Sequence, residues 1–239
     1  MRDVLVDTIN ILHVNRTATA RYLIEMDCFW APGTFVKRAV PFDRLRDMAA
    51  DTSKPSKMST WKPEDLAVDA IFSQIFLLPQ PEQKLVYYHS VVTDACKIAP
   101  AAIAPSLGRA IRFLFRNVDM MDLESSYRFL DWFAHHLSNF EFRWKWTEWY
   151  VVKDPLHGSF SVARMADVLT GVRVDEVDRA DVFPKKSFIV ATIDKEIRLS
   201  FAKRIRETLP KPYHSLIPAV KEKDIPDFKF KDDSKSGYG

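Results

Sequence analysis

Apolar residues recur at spacings of three and four along most of the chain, and short proline-rich connections separate the runs. This period is that of amphipathic helices with one buried face. The helices predicted in this way lie at Val4–Met26 (broken near Asn15), near Phe42–Ala50, at Leu66–Leu78, at Glu82–Ile98, from Pro100 to about Val118, from Asp122 onward and at Lys185–Leu209. The pattern therefore predicts an all-α protein, a right-handed superhelix of antiparallel helix pairs of the HEAT-like kind.

The order of these elements predicts one helical-repeat domain over residues 1–220, followed by a flexible tail over residues 221–239. A long loop is expected at residues 31–63, which contain four prolines and a polar run. The tail is rich in charge and contains glycine and serine, a composition that does not support a packed core. No repeat of fixed period is visible in the sequence, so any repetition is structural.

The last predicted helix, Lys185–Leu209, carries an apolar residue at every fourth position. A step of four overshoots the helical repeat by about 40° each time, so the apolar stripe winds around the helix. Its members are Ile189, Ile193, Ile197, Phe201, Ile205 and Leu209. This pattern predicts a helix that contacts neighbours on more than one side, as a helix inside a stacked array does.

The segment Arg128–Trp149 contains eight aromatic residues, among them four of the six tryptophans. Helical spacing ends near Phe140, after which Phe142, Trp144 and Trp146 alternate with charged residues. Such aromatics either offer stacking platforms for nucleic-acid bases or pack into a groove between helices. We favour the second interpretation, an extended connector sealed into the helical stack, because a lone strand in an all-α protein has no partner.

Composition narrows the class of protein. The apolar fraction of 47% suffices for a core, and a net charge of +3 neither requires nor excludes nucleic acid. The only cysteines, Cys28 and Cys96, lie far apart and are predicted to be reduced, buried thiols. Asp3 and Asp7 interrupt the apolar N-terminal stretch, which is therefore not read as a signal peptide. No apolar run reaches the roughly 20 residues of a membrane helix, so no membrane partner is expected.

The residues that could carry chemistry have simpler structural interpretations. His135 and His136 point about 100° apart on a helix and do not chelate one ion together, whereas Asp131 and His135 can pair. No nucleophile, zinc or phosphate-binding motif occurs, and Cys96 is predicted to be a core residue. The remaining candidates are the solitary histidines and the adjacent carboxylates, namely His13, His89, His157, His214, Asp175/Glu176 and Asp232/Asp233. We therefore expect no catalytic residue, no metal and no cofactor.

Three groups of basic residues are candidates for an acidic or RNA partner. They are Lys185/Lys186, Lys203/Arg204/Arg206 and the helical stripe Arg109/Arg112/Arg116. Solvated helix faces are the favoured interpretation of all three, and contact with an acidic partner or an RNA backbone is the alternative.

The segment RFLDWFAHHLSNFEFRWKW closely resembles the signature of the large subunit of the nuclear cap-binding complex. Two further stretches resemble the same family, namely LLPQPEQKLVYYHSVVTDACKIAP and KKSFIVATIDKEIRLSFAKRIRETLP. A looser resemblance, to fungal members of the family, is found in INILHVNRTATARYLIEM. Together the close matches cover most of Leu77–Lys153 and Lys185–Asp233.

The resemblance implies three all-α domains like the middle domain of the large translation-initiation scaffold protein, with this chain as the second. It implies a non-catalytic scaffold in the nucleus, with shuttling to the cytoplasm left open, that acts in mRNA processing, export and nonsense-mediated decay. The implied partners are a small RNA-recognition-motif subunit that binds the mRNA cap, capped RNA through that subunit, and other RNA-processing factors. The implied cap pocket lies in the small subunit, and the residues that contact partners remain unknown. An independent helical-repeat adaptor in RNA metabolism or translation is the alternative.

The chain departs from the family in two places. Gly158–Phe183 is longer than the family's connector, which predicts a loop insertion at 158–183 or an error of gene prediction; it interrupts no predicted helix, so the fold is expected to survive. The sequence also stops at Gly239, before the remaining helices that the family has. An open apolar face at that end would favour self-association.

Overall fold

The structure is a computed structural model that describes residues 1–50, 59–149 and 184–217, and the backbone alone of residues 151–154 and 158–161. The predicted tail at 221–239 and most of the predicted insertion at 158–183 lie outside the described residues. The all-α prediction is confirmed for the described part of the chain, where the sole β-structure is a short hairpin.

The helices follow the order that the hydrophobic pattern predicts. They are α1 Arg2–Ile11, α2 Arg16–Ile24, α3 Phe42–Ala50, α4 Pro63–Ile75, α5 Leu85–Ile98, α6 Pro100–Arg116, α7 Leu123–Ser138, α8 Pro184–Leu199 and α9 Ala202–Thr208. Short 3-10 turns occur at Met26–Phe29, Val118–Met120, Trp146–Trp149 and Lys211–Leu216. Strands β1 Val151–Asp154 and β2 Gly158–Ser161 pair antiparallel, with Val151 opposite Ser161. In the described residues, no helix has both the length and the apolar content needed to cross a membrane.

The chain divides into two compact units. The first unit comprises Met1–Arg143 and Asp178–Leu199, and the second comprises Trp144–Val177 and Ser200–Gly239. In the first unit α1 packs on α4, α2 on α5, α4 on both α5 and α6, and α7 on α8. The second unit contains the tryptophan run (Trp144, Trp146 and Trp149), the hairpin and α9. The single domain over residues 1–220 therefore stays a prediction.

Side-chain caps begin two of the helices where the sequence predicts them. The Asn15 side chain accepts a hydrogen bond of 3.0 Å from the Ala18 N–H, and α2 begins directly after Asn15, at Arg16. The Asp122 carboxylate accepts one of 2.9 Å from the Ser125 N–H at the start of α7. These bonds satisfy amide groups that have no partner within the helix.

The predicted helix Lys185–Leu209 is wrong as a single element. The chain leaves the helical conformation after Leu199, and Phe201 is extended, with φ −158° and ψ 152°. The two halves belong to different units, α8 to the first and α9 to the second. The break explains the winding stripe, because each half buries its own apolar residues, Ile193 in α8 and Ile205 in α9, while Phe201 at the break is 57% exposed.

A buried polar network joins α1, α4 and α5 in the first unit. The Tyr88 hydroxyl donates to the Asn10 side-chain oxygen at 2.8 Å and accepts from the Gln83 N–H at 3.0 Å. The Asn10 amide in turn donates to the Gln74 side-chain oxygen at 3.3 Å. Because these groups are buried, each hydrogen bond avoids the cost of an unpaired polar atom.

Candidate functional site

The aromatic residues of α7 form the centre of the first unit's core. Phe129, Trp132 and Phe133 are all 0% exposed. The Trp132 ring meets the Phe72 ring of α4 edge to face at 4.7 Å, and Phe129 stacks on Phe188 of α8 at 4.7 Å. The aromatic part of α7 therefore serves as the element against which α4 and α8 pack.

A tight turn follows α7 and involves two residues with left-handed backbone. Glu141 has φ 59° and Phe142 has φ 58°. The Phe142 N–H donates to the Leu137 carbonyl at 2.8 Å, and this bond satisfies a carbonyl group at the end of the helix. The Phe142 side chain is 2% exposed. The extended connector predicted from Phe140 onward is therefore wrong at its start, where the backbone reverses.

The tryptophan run forms the core of the second unit. Trp146 and Trp149 are 0% and 4% exposed, and their rings meet edge to face at 5.4 Å. Trp146 also lies 5.8 Å from the ring of Tyr213, whose hydroxyl donates to the Trp146 carbonyl at 3.3 Å. Residues Trp146–Trp149 form a 3-10 turn rather than an extended segment. Because Trp146 and Trp149 are buried, the packing interpretation of the aromatics is confirmed over the base-stacking one.

Arg128 ties α7 to the loop that follows α4, and sequence reasoning missed it. Its guanidinium donates to the carbonyls of Ile75, Leu77 and Pro79 at 3.2, 2.8 and 2.6 Å. Its Nε donates to Glu124 at 2.8 Å, and the Arg128 side chain is only 7% exposed. This explains why α4 ends at Ile75 and not at Leu78 as predicted, since a side chain takes over its final carbonyls. An arginine inside an otherwise apolar helical face was the available signal.

Two of the histidines, His89 and His136, are buried. His89 and His136 each have a pKa lowered to about 4, in both cases mainly because burial disfavours the charged ring. The ring centroids of His89 and His135 lie 5.5 Å apart, and burial also lowers the pKa of His135. The predicted pairing of Asp131 with His135 is wrong, because Asp131 pairs with Lys195 of α8 and the His135 Nδ1 has no hydrogen-bond partner.

Metal and thiol chemistry find little support in the described residues. Nowhere in them do three or more His, Cys, Asp or Glu side chains come together as a metal site would require. Cys96 is buried as predicted, and burial raises the pKa of its thiol to about 12. The prediction for Cys28 is wrong, because this thiol is exposed and accepts a hydrogen bond of 3.2 Å from Arg38. His157 and the carboxylate pairs Asp175/Glu176 and Asp232/Asp233 lie outside the described residues.

Two of the predicted basic groups contain residues that already pair with carboxylates. Arg109 pairs with Asp65 and lies 4.9 Å above the centre of the Phe42 ring, so its charge is already matched. Lys185 pairs with Asp119. Arg116 of the same stripe is exposed, and so are Lys203 and Arg206 of α9. The arrangement favours solvated helix faces over an RNA-binding stripe.

Several large apolar side chains point into solvent and are the described candidates for partner contact. In the first unit they include Phe29, Trp61, Phe113, Met120, Leu123 and Tyr127, which are 57–86% exposed. Leu123 and Tyr127 are one helical turn apart and so share a face of α7. The helical periodicity of α7 indicates that these two residues share a face, but it does not indicate whether a partner binds to this face.

A core of packed helix pairs with a largely hydrocarbon and aromatic interior defines a helical scaffold domain. The family described as MIF4G like matches residues 1–163 and 172–211. The chain belongs to the MIF4G-like family. The unmatched residues 164–171 lie within the predicted insertion at 158–183.

Similar proteins carry the name that the resemblance predicts. Nuclear cap-binding protein subunit 1 of Schizosaccharomyces pombe is 35% identical over 216 residues, which is 90% of this chain and 24% of that protein. The Arabidopsis thaliana protein of the same name is 35% identical over 63% of this chain and 15% of its own length. Subunit 1-B of Xenopus laevis is 32% identical over 71% of this chain and 18% of its own length. The chain thus spans at most about a quarter of these relatives, and the predicted resemblance is confirmed.

Proposed function

We propose that this chain is a non-catalytic helical scaffold segment of a nuclear cap-binding complex. In this role it supports a small RNA-recognition-motif subunit that binds the mRNA 5′ cap, and it acts in mRNA processing, export and decay. The observation that carries the proposal is the 35% identity over 90% of the chain with a nuclear cap-binding protein subunit 1. The relatives' name also supports a nuclear location for this chain.

The packing of the signature aromatics supports a scaffold role rather than direct cap binding. Cap recognition by stacking needs an accessible aromatic face. Trp132, Trp146 and Trp149 are at most 4% exposed, so their rings are already used for packing. The proposal accordingly places the cap pocket in the partner subunit, with capped RNA contacted through it.

A chimera tests this proposal at the level of the complex. The matching segment of the Schizosaccharomyces pombe subunit is replaced by this chain, and the chimera is co-expressed with the small subunit. We expect both proteins to be retained together on a 7-methylguanosine resin. A chimera carrying Trp132→Ala, which removes the central ring of the core, is the matched negative control. A folded chimera that fails to retain the small subunit would contradict the proposal.

The same experiment separates the alternative function. An independent helical-repeat adaptor predicts that this chain binds other RNA-processing proteins without any small subunit. The exposed apolar residues of the first unit, such as Leu123 and Tyr127, are the observation that favours such contacts. Under the adaptor hypothesis the chimera fails on the cap resin, and a Leu123→Ser, Tyr127→Ser variant of the chain loses its other partners.

A further inference from the structure

Helix α8 occupies an unusual place in the chain. It belongs to the first unit, although the stretch before it, Trp144–Val177, and the stretch after it, Ser200–Gly239, belong to the second. The extended residue Phe201 ends the helical path immediately beyond it. Among the described residues, α8 is thus held in the first unit by its own side-chain contacts, and the helix that follows it, α9, belongs to the second unit.

Those contacts are an aromatic cluster and two ion pairs. The Phe188 ring lies 4.7 Å from the ring of Phe129, and the rings of Phe115 and Phe133 lie at 6.0 and 6.4 Å. Lys185 pairs with Asp119 and Lys195 with Asp131, and all four side chains of these pairs are partly exposed. Exposed ion pairs add little, so the apolar face provides most of the docking energy.

A carboxyl group lies at the C-terminal end of this buried face. Glu196 is 0% exposed and shares the buried side of α8 with Ile189, Thr192 and Ile193. Neither of its carboxylate oxygens has a hydrogen-bond partner among the described residues. A buried charge without a partner is costly, so such a group stays protonated or leaves the interior. Burial, which disfavours the charged carboxylate, raises the pKa of Glu196 to about 8.

The neighbouring charged groups do not compensate Glu196. α8 packs on α7 and on the 3-10 turn Val118–Met120, and Phe188 also reaches α6. The other titratable and charged residues on these elements and on α8 itself are Arg109, Arg112, Arg116, Asp119, Glu124, Tyr127, Arg128, Asp131, His135, His136, Lys185, Lys186, Asp194, Lys195 and Arg198. The pKa of Glu196 is raised by burial and not by the charge of any of these residues.

We propose that α8 is a detachable helix, and that protonation of Glu196 stabilises its docking in the first unit. The docked state holds a proton that the undocked, solvated carboxyl releases. Undocking is therefore weakest below the ordinary glutamate pKa of 4.5, and it becomes more favourable as the pH rises from there to about 8. Above that pH the docked carboxyl also ionises, and the dependence levels off.

Undocking changes what the first unit presents to its surroundings. The rings of Phe115, Phe129 and Phe133, at most 6% exposed while Phe188 covers them, become available to another apolar surface. The switch thus couples proton release to the exposure of an aromatic face. It holds or fails independently of the proposed scaffold function.

Hydrogen exchange of the backbone amides tests this inference on the full chain. Exchange rates of residues 188–199 are measured between pH 7 and 8 and corrected for the intrinsic pH dependence of exchange. The pKa values of the buried His89 and His136 are lowered to about 4, so neither ring changes its charge in this interval. We expect the opening constant of α8 to rise about fivefold over this interval, while the amides of α5 keep their protection.

Two variants complete the test. Glu196→Gln keeps the shape of the side chain without its ionisation, and we expect it to abolish the rise. Glu25→Gln removes an exposed carboxyl of the same unit and should leave the rise unchanged. The inference is overturned if the wild-type opening constant does not change with pH, if Glu196→Gln retains the rise, or if α5 and α8 lose protection together.

Discussion

Two consecutive residues, Glu141 and Phe142, adopt a left-handed backbone that β-carbons disfavour. Each such residue costs on the order of 1 kcal/mol. The turn is nonetheless retained because it inserts the Phe142 side chain, 2% exposed, into the core. The exposed Glu141 contributes no comparable packing, and its ion pair with Arg143, at 2.8 Å, is exposed on both sides. The strain at Glu141 is therefore only weakly offset.

Replacing Glu141 with glycine should stabilise the protein. Glycine adopts a positive φ without steric cost, which outweighs its greater freedom in the unfolded chain at this position. We expect Glu141→Gly to raise the free energy of unfolding by about 0.5–1 kcal/mol, measured as a higher urea midpoint. The control is Glu25→Gly, at φ −97°, where no strain is relieved and a small loss is expected. A lower urea midpoint for Glu141→Gly would show that the turn is not strained.

The same residues show what a sequence pattern can and cannot predict. The alternation at Phe142, Trp144 and Trp146 correctly predicted which side chains turn inward, since Phe142 and Trp146 are buried and Arg143 and Lys145 are exposed. It did not predict the backbone conformation. Neither Glu141 nor Phe142 is a residue type that signals a positive φ, because the usual signals are glycine and asparagine.

At the scale of whole elements, the sequence again predicts the features that neighbouring residues determine. It misses the features that depend on tertiary contacts. The starts of α2 near Asn15 and of α7 near Asp122 and the bounds of Phe42–Ala50 were predictable because a few neighbouring residues determine them. The end of α4 and the break after Leu199 were not. The first depends on Arg128, about 50 residues away along the chain, and the second on the division into two units.

Arg128 gives a direct test of how α4, α7 and the loop between α4 and α5 depend on one side chain. A lysine carries the same charge but lacks the planar fork that reaches three carbonyls at once. We expect Arg128→Lys to lower the free energy of unfolding by about 2 kcal/mol, because the buried carbonyl of Ile75 and the partly buried carbonyl of Leu77 lose their donors. Urea denaturation followed by circular dichroism measures this loss.

The matched control for this prediction is Arg116→Lys on α6. Arg116 is exposed, so the same change of residue type should alter stability by less than about 0.5 kcal/mol. Equal effects at the two positions would mean that the contacts of Arg128 with the loop carbonyls contribute nothing beyond its charge.

At the scale of the molecule, the sequence identified the family correctly but left the buried ionisable groups undetected. The match to a MIF4G-like domain over residues 1–163 and 172–211 agrees with the fold that periodicity alone predicted. Glu196 and His136, by contrast, look like ordinary polar positions in a helical pattern. Their burial depends on how α7 and α8 pack, which the sequence of either helix does not reveal.

These buried groups give the stability of the protein opposing dependences on pH. The pKa of His89 and of His136 is lowered to about 4, so their contribution is complete above pH 6.5 and is lost as the pH falls towards 4. The pKa of Glu196 is raised to about 8, so its contribution is complete below pH 4.5 and is lost as the pH rises towards 8. Below pH 6.5 the effect of the two histidines exceeds that of the one carboxyl, and above pH 6.5 the effect of the carboxyl exceeds that of the histidines.

The protein should therefore be most stable near pH 6.5. We expect the free energy of unfolding to fall by about 1 kcal/mol on going to pH 5, and by a similar amount on going to pH 8. Urea midpoints at the three pH values measure both losses of stability. Because different groups cause the two losses, His136→Phe, which preserves the ring contact with Trp132, should reduce only the loss between pH 6.5 and 5. Glu196→Gln should reduce only the loss between pH 6.5 and 8. A stability that keeps rising from pH 6.5 to pH 8 would mean that Glu196 is ionised in the folded protein.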